Sequence, residues 1–88
     1  MKTVILIYET DAWLSTSSRN LVAVATTPAQ RDRLVRRFLT KELYDKPDRE
    51  TLREALREIA DSGQTQCLAE KCDLEILSET WDVNEIVY

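Results

Sequence analysis

The sequence holds no histidine, one glycine, two prolines, two cysteines and one phenylalanine in 88 residues. Each scarcity removes a class of chemistry. Without histidine, a serine or cysteine nucleophile lacks its usual base, and no G-x-S-x-G elbow is present. A single glycine cannot build a glycine-rich phosphate loop. Cys67 and Cys72 alone fall short of the four ligands of a structural zinc site within one chain. Neither cysteine has a histidine or a helix N-terminus beside it to lower its pKa. A site shared between two copies, or a redox pair closing a small loop, would be the functional uses of these thiols. Two reduced, half-buried thiols are the reading adopted. No cofactor and no metal are expected. No run approaches the ~20 apolar residues of a membrane span. The apolar start is too short and strand-like for a signal peptide and has no cleavage site. A cytoplasmic protein with no membrane partner is expected.

Acidic residues outnumber basic ones by 16 to 12, for a formal charge of −4. That balance argues against nonspecific binding to nucleic acid or to an anionic membrane. The length suits one domain, residues 1–88. A chain this small buries only roughly 60–65% of the surface it exposes unfolded, and oligomerisation is a common aid.

What is present is organised around Thr3-Val4-Ile5-Leu6-Ile7-Tyr8, the most β-branched and apolar stretch, which reads as a central strand over about residues 2–9. Leu21-Val22-Ala23-Val24-Ala25-Thr26 reads as a second strand, joined to the first by a polar loop in an antiparallel hairpin. Thr27-Pro28-Ala29-Gln30 is a helix start: Thr27 at N-cap, Pro28 at N1, and Gln30 at N3 to close a capping box. That helix is expected to reach about Tyr44, with Leu34, Val35, Phe38, Leu39 and Leu43 in one stripe. Pro47 breaks the chain. A second helix over 48–62 carries Leu52, Ala55, Leu56, Ile59 and Ala60 at i, i+3, i+4, i+7, i+8, and Gly63 stops it. Residues 64–71 show no period. Residues 72–81 alternate as a third strand with a wet acidic face. Ile86-Val87-Tyr88 is apolar enough to dock.

The order β-β-α-α-β implies an α+β two-layer sandwich: a three-stranded, mainly antiparallel sheet with a helical hairpin on one face. Val4, Leu6 and Tyr8 point one way and Ile5 and Ile7 the other, so one set lacks cover. A second copy against that face, giving a homo-oligomer, is the expectation.

Two constellations suit recognition. The first loop offers Asp11, Trp13, Ser15, Ser17, Ser18 and Arg19. Trp13 could stack on a ligand or anchor the loop to the core. Glu9 and Asp11, two apart, could form an acid/base or metal-binding pair if they share a strand face, or simply flank a turn. On the first helix, Arg33, Arg36, Arg37 and Lys41 cluster opposite the apolar stripe, with Tyr44 nearby. Guanidinium forks fit phosphate or carboxylate, and a face paired with acidic neighbours is the alternative. Trp81 is assigned to the core. Gln64-Thr65-Gln66 is read as capping the helix before it, rather than reading a ligand edge.

The pattern VILIYETDAW, a Ser-rich loop, LVAVATTPAQ, and QTQ ahead of a last strand resembles small proteins of phages and other mobile elements. The resemblance implies a non-enzymatic accessory factor, which acts by occupancy against host defence. It would do so by blocking a host protein or by sequestering an anionic nucleotide signal. A nucleic-acid-binding regulator using the Arg-rich helix is the alternative, and the net negative charge makes nucleic acid the less favoured partner.

Overall fold

A computed structural model describes residues 3–43 and 45–82. The chain runs β1 (Thr3–Thr10), β2 (Asn20–Ala25), α1 (Pro28–Arg37), α2 (Arg49–Ser62), α3 (Ala69–Cys72) and β3 (Glu75–Asp82). One 3₁₀ turn covers Thr16–Ser18, and Phe38–Glu42 is wound as a π-helix. The strands form one antiparallel sheet in the order β2-β1-β3. The most apolar strand therefore lies in the middle, with both of its backbone edges paired. This is the expected α+β sandwich, with one short helix added before β3.

The core forms between one sheet face and the helices. Ile5, Ile7, Ala25 and Ile76 meet Val35, Phe38 and Leu39 from the first helix and Ala55 and Ile59 from α2, with Leu68 beside them. Each large side chain among them contributes roughly 1.5–3 kcal/mol by leaving water. The register shifts between Ile7, opposite Ala23, and Tyr8, opposite Leu21. Val22 is the extra residue of this bulge. Strict alternation would aim Val22 away from the helices with Val24. The bulge brings it against the core instead and turns Leu21 outward.

Among the described residues, the other sheet face carries no helix. Leu6 lies between Val24 and Glu79, Tyr8 between Leu21 and Leu77, and Val4 opposite Trp81. Leu21 is 52% exposed, Val24 48% and Trp81 39%. The core assignment of Trp81 is thus corrected: it shares strand parity with Leu77 and Glu79, not with Ile76. Arg19 crosses this face, with its guanidinium 2.8 Å from Glu79 and 5.8 Å from the centre of the Tyr8 ring.

Local chemistry sets the helix ends. The Thr27 hydroxyl accepts the Gln30 N–H at 3.1 Å, as a capping box requires. The Gln30 side chain, however, accepts from the N–H and hydroxyl of Thr26, at 2.8 and 2.9 Å, and not from Thr27. Regular helix ends at Arg37 rather than near Tyr44. In the π segment, the Thr40 hydroxyl donates to the Arg36 carbonyl at 2.8 Å, a back-bond of the kind that perturbs helices. Tyr44 lies outside the described residues. Asp48 caps α2, accepting from Thr51 N–H and from the Lys71 ammonium, both at 2.7 Å. Gly63 ends α2 with φ of 78°. Ala60, placed in the apolar stripe by periodicity, is exposed.

The third strand begins at Glu75, not at Cys72. Cys72 closes α3, and Asp73 leaves it in the left-handed region at φ 57°. Residues Gly63 to Thr65 dock on the outer edge of β3: Ser78 N–H donates to Gly63 at 2.6 Å and Thr65 N–H to Ile76 at 2.9 Å. Thr65 and its neighbours therefore extend the sheet edge, correcting the capping role read for them. Nor is Glu75 wet: it is buried, and its carboxylate accepts from Thr65, Leu68 and Ala69. The apolar C-terminal triplet Ile86-Val87-Tyr88 lies outside the described residues.

Candidate anion-binding cleft

Helical periodicity fixes which arginines face outward. With Val35, Phe38 and Leu39 buried against the sheet, Arg33 lies on the opposite side of α1 and Arg36 on its flank, both exposed. On α2, Ala55 and Ile59 are buried and Leu52 and Leu56 half-buried. Arg49 and Arg53, four apart, flank that half-buried pair. Where the two helices meet, Arg36, Arg49 and Arg53 surround a cleft of about 300 Å³ whose apolar lining is Leu52 and Leu56. A shallower groove of about 220 Å³, lined by Asp32, Arg33 and Arg36, shares one wall with it.

The arginines of this cleft form no ion pair among the described residues, although Asp32 shares the neighbouring groove with Arg36, and Glu50 and Glu54 share another with Arg53. Among the described residues, the ion pairs are Arg19–Glu79, Arg31–Asp32, Arg57–Glu54 and Lys71–Asp48. Arg33, Arg36, Arg37, Lys41, Arg49 and Arg53 take part in none of them. No carboxylate lines the cleft. Three exposed guanidiniums around one cleft favour an anion placed between them. Their planar forks can each donate two parallel hydrogen bonds to a phosphate or carboxylate.

The expected basic face is divided by the fold. Arg36, with Arg33 beside it, turns toward α2. Arg37 lines a separate groove of about 160 Å³ with Leu34, Phe38, Glu42 and two β2 residues. Lys41 is exposed on the π segment and lines none of these clefts. Sequence reading missed Arg49 and Arg53. The signal was the repeat Arg49-x-x-Leu52-Arg53-x-x-Leu56, in which each arginine borders the apolar stripe.

The first loop forms a unit of its own. The Asp11 carboxylate accepts from Trp13 N–H and Ser15 N–H, both at 3.0 Å, and from the Ser15 hydroxyl at 2.6 Å. The Ser15 hydroxyl foremost, then the backbone donors, hold the Asp11 carboxyl below the usual carboxylate range. Ser18 accepts Asp11 N–H at 3.0 Å and donates to the Ser15 carbonyl at 2.8 Å. Asp11, Ser15 and Ser18 thus hold the loop's shape, Ser17 is exposed on the 3₁₀ turn, and Arg19 is held at Glu79. Trp13 is 83% exposed, so it does not anchor the loop in the core. Among the described residues, the side-chain hydrogen bonds of this loop reach itself and β3, and none reaches α1. Glu9, still within β1, accepts from Asn20 at 2.8 Å, while Asp11 serves the turn beyond the strand.

Both thiols are free and half-buried. Burial, with the Glu58 carboxylate beside it, pushes Cys67 up to about 12. Burial also raises Cys72, with Asp45 and Glu75 adding to the effect. No group of three potential metal ligands exists among the described residues. No helix among them is long and apolar enough to cross a membrane. No family model, curated protein or solved structure matches the chain.

Proposed function

We propose that this protein binds an anionic ligand of nucleotide size in the Arg36–Arg49–Arg53 cleft and acts by occupancy rather than by turnover. The observation that carries the reading is three arginines, without ion-pair partners among the described residues, around an apolar floor in a protein of net charge −4. The cleft volume of about 300 Å³ falls at the small end of ligand sites. The guanidiniums take the phosphates, and Leu52 and Leu56 take a flat apolar part such as a base. Both thiols stay protonated near neutral pH, which supports binding over nucleophilic chemistry. In the setting implied by the resemblance to phage and mobile-element proteins, the ligand is a nucleotide signal withdrawn from a host defence protein.

Titration calorimetry with ATP, pyrophosphate and adenosine tests this. ATP should bind, pyrophosphate more weakly, and uncharged adenosine least of all. Each guanidinium–phosphate contact is worth about 1.5–3 kcal/mol, so Arg53→Ala should weaken ATP binding about tenfold to a hundredfold. Arg36→Glu/Arg53→Glu should abolish it. Equal affinity of ATP for wild type and the double variant would overturn the reading.

The nucleic-acid alternative draws on the same unpaired arginines together with Arg33, Arg37 and Lys41. It predicts that a single-stranded oligonucleotide outcompetes ATP, with a steep loss of affinity as salt rises.

A further inference from the structure

We propose that the helix-free face of the sheet is the surface on which a second copy of this chain docks, sheet to sheet, giving a four-layer α/β/β/α dimer. The proposal is independent of the arginine cleft, which lies on the helical layer. Leu6 and Tyr8 sit at the centre of the face, with Leu21, Val24 and Trp81 around them, and monomeric domains rarely leave such a block in water. Charge singles out the occupant. Each copy carries −4, so two copies repel through most of their surface. On this face, Arg19 and Glu79 neutralise each other at 2.8 Å. Among the described residues, the exposed part of this face thus carries no excess charge, and a second copy supplies a matching one. A basic partner gains nothing here, and an anionic lipid surface is repelled by the rest of the chain.

Size and geometry agree. Strands of eight residues, at about 3.3 Å per residue and about 4.8 Å between strands, give a face of about 26 by 14 Å. Two such faces, corrugated by their side chains, bury on the order of 1,000 Å² together, the lower end of specific interfaces. The dimer should therefore be concentration-dependent, with a dissociation constant in the micromolar range. Sheets packed in this way lie about 10 Å apart, with strands about 30° from parallel. The two arginine clefts then fall on the outer layers, leaving both open to ligand.

Sedimentation velocity of the full chain from about 2 to about 200 μM tests the proposal across the range where such a dimer dissociates. A monomer–dimer transition is expected. Leu21→Glu/Val24→Glu should weaken it about a hundredfold, since four charges are then forced into one dry interface. Circular dichroism shows whether that variant folds. If it does not, Leu21→Thr/Val24→Thr places strand-favouring β-branched residues at both positions and should still weaken the dimer about tenfold. A monomer throughout the range would overturn the proposal, including one whose face is closed by its own C-terminal residues. So would a dimer indifferent to substitution at Leu21 and Val24, because its contact would then lie elsewhere.

Discussion

The Thr65 hydroxyl donates to the buried Glu75 carboxylate at 2.6 Å and accepts the Ile76 N–H at 2.8 Å, so one side chain joins the connection after α2 to the start of β3. Glu75 also accepts from Leu68 N–H at 3.3 Å and Ala69 N–H at 3.2 Å. These bonds hold the turn carrying Leu68 against the core. Glu75→Ala would strand two buried donors and one half-buried donor and should cost about 3 kcal/mol, with Thr65→Val costing about 1–3 kcal/mol. Urea denaturation reads both. A double variant should cost clearly less than the sum, since the two groups share one bond. Full additivity would show that they act separately.

Gly63 should not tolerate a side chain. Its φ of 78° strains any L residue, and an added Cβ would lie 3.1 Å from the Ser78 carbonyl oxygen. The Gly63 carbonyl meanwhile accepts Ser78 N–H at 2.6 Å, so the backbone cannot easily withdraw. Gly63→Ala should lower stability by about 1–2 kcal/mol, more than the usual cost of a left-handed alanine. Chemical denaturation measures it, and an unchanged midpoint would contradict the close approach.

Acid should destabilise the fold through three carboxylates with lowered pKa. Asp48 is held down first by the Lys71 ammonium and then by Thr51. Asp11 is held down first by the Ser15 hydroxyl. For Glu58, burial pushes upward, but the Gln66 and Cys67 N–H donors outweigh it. A depressed folded pKa gives stability that is present above the unfolded value, about 3.9–4.3, and lost as pH falls through the folded value. Thermal melts should thus be nearly flat from neutrality to about pH 5 and fall steeply below about pH 4. Asp48→Asn should flatten the acid limb. A melting temperature that rises on acidification would reverse the assignment.

The thiols should be sluggish. With Cys67 pushed up to about 12, almost none of it is thiolate at pH 8, and burial lowers the thiolate share of Cys72 as well. Iodoacetamide should label the native protein far more slowly than a model thiol of pKa ~8.5, and unfolding should restore the ordinary rate. Mass spectrometry follows both. Rapid native labelling at Cys67 would mean that the site opens readily.

Much of the fold was legible because its signals are local. Thr27 before Pro28, and Gly63 after the stripe of α2, act through backbone donors and φ values that neighbouring residues set. The β-branched run of β1 needs no distant partner to declare itself, and its alternation already separates Ile5 and Ile7 from Val4, Leu6 and Tyr8. Pairing across the sheet was decided only in three dimensions. The bulge opposite Ile7 and Tyr8 exchanges the faces of Leu21 and Val22, and period-two reading has no means to place it. Trp81 and Glu75 share one parity on β3, yet one is open to solvent and the other buried, because the Thr65–Ala69 connection covers only one end of the strand. The cleft is likewise tertiary. Arg36 and Arg53 are seventeen positions apart, and periodicity gives the face each occupies on its own helix. That the two faces converge on one cleft follows from how α1 and α2 meet over the sheet, since charge in a chain is counted along the sequence but compensated in space.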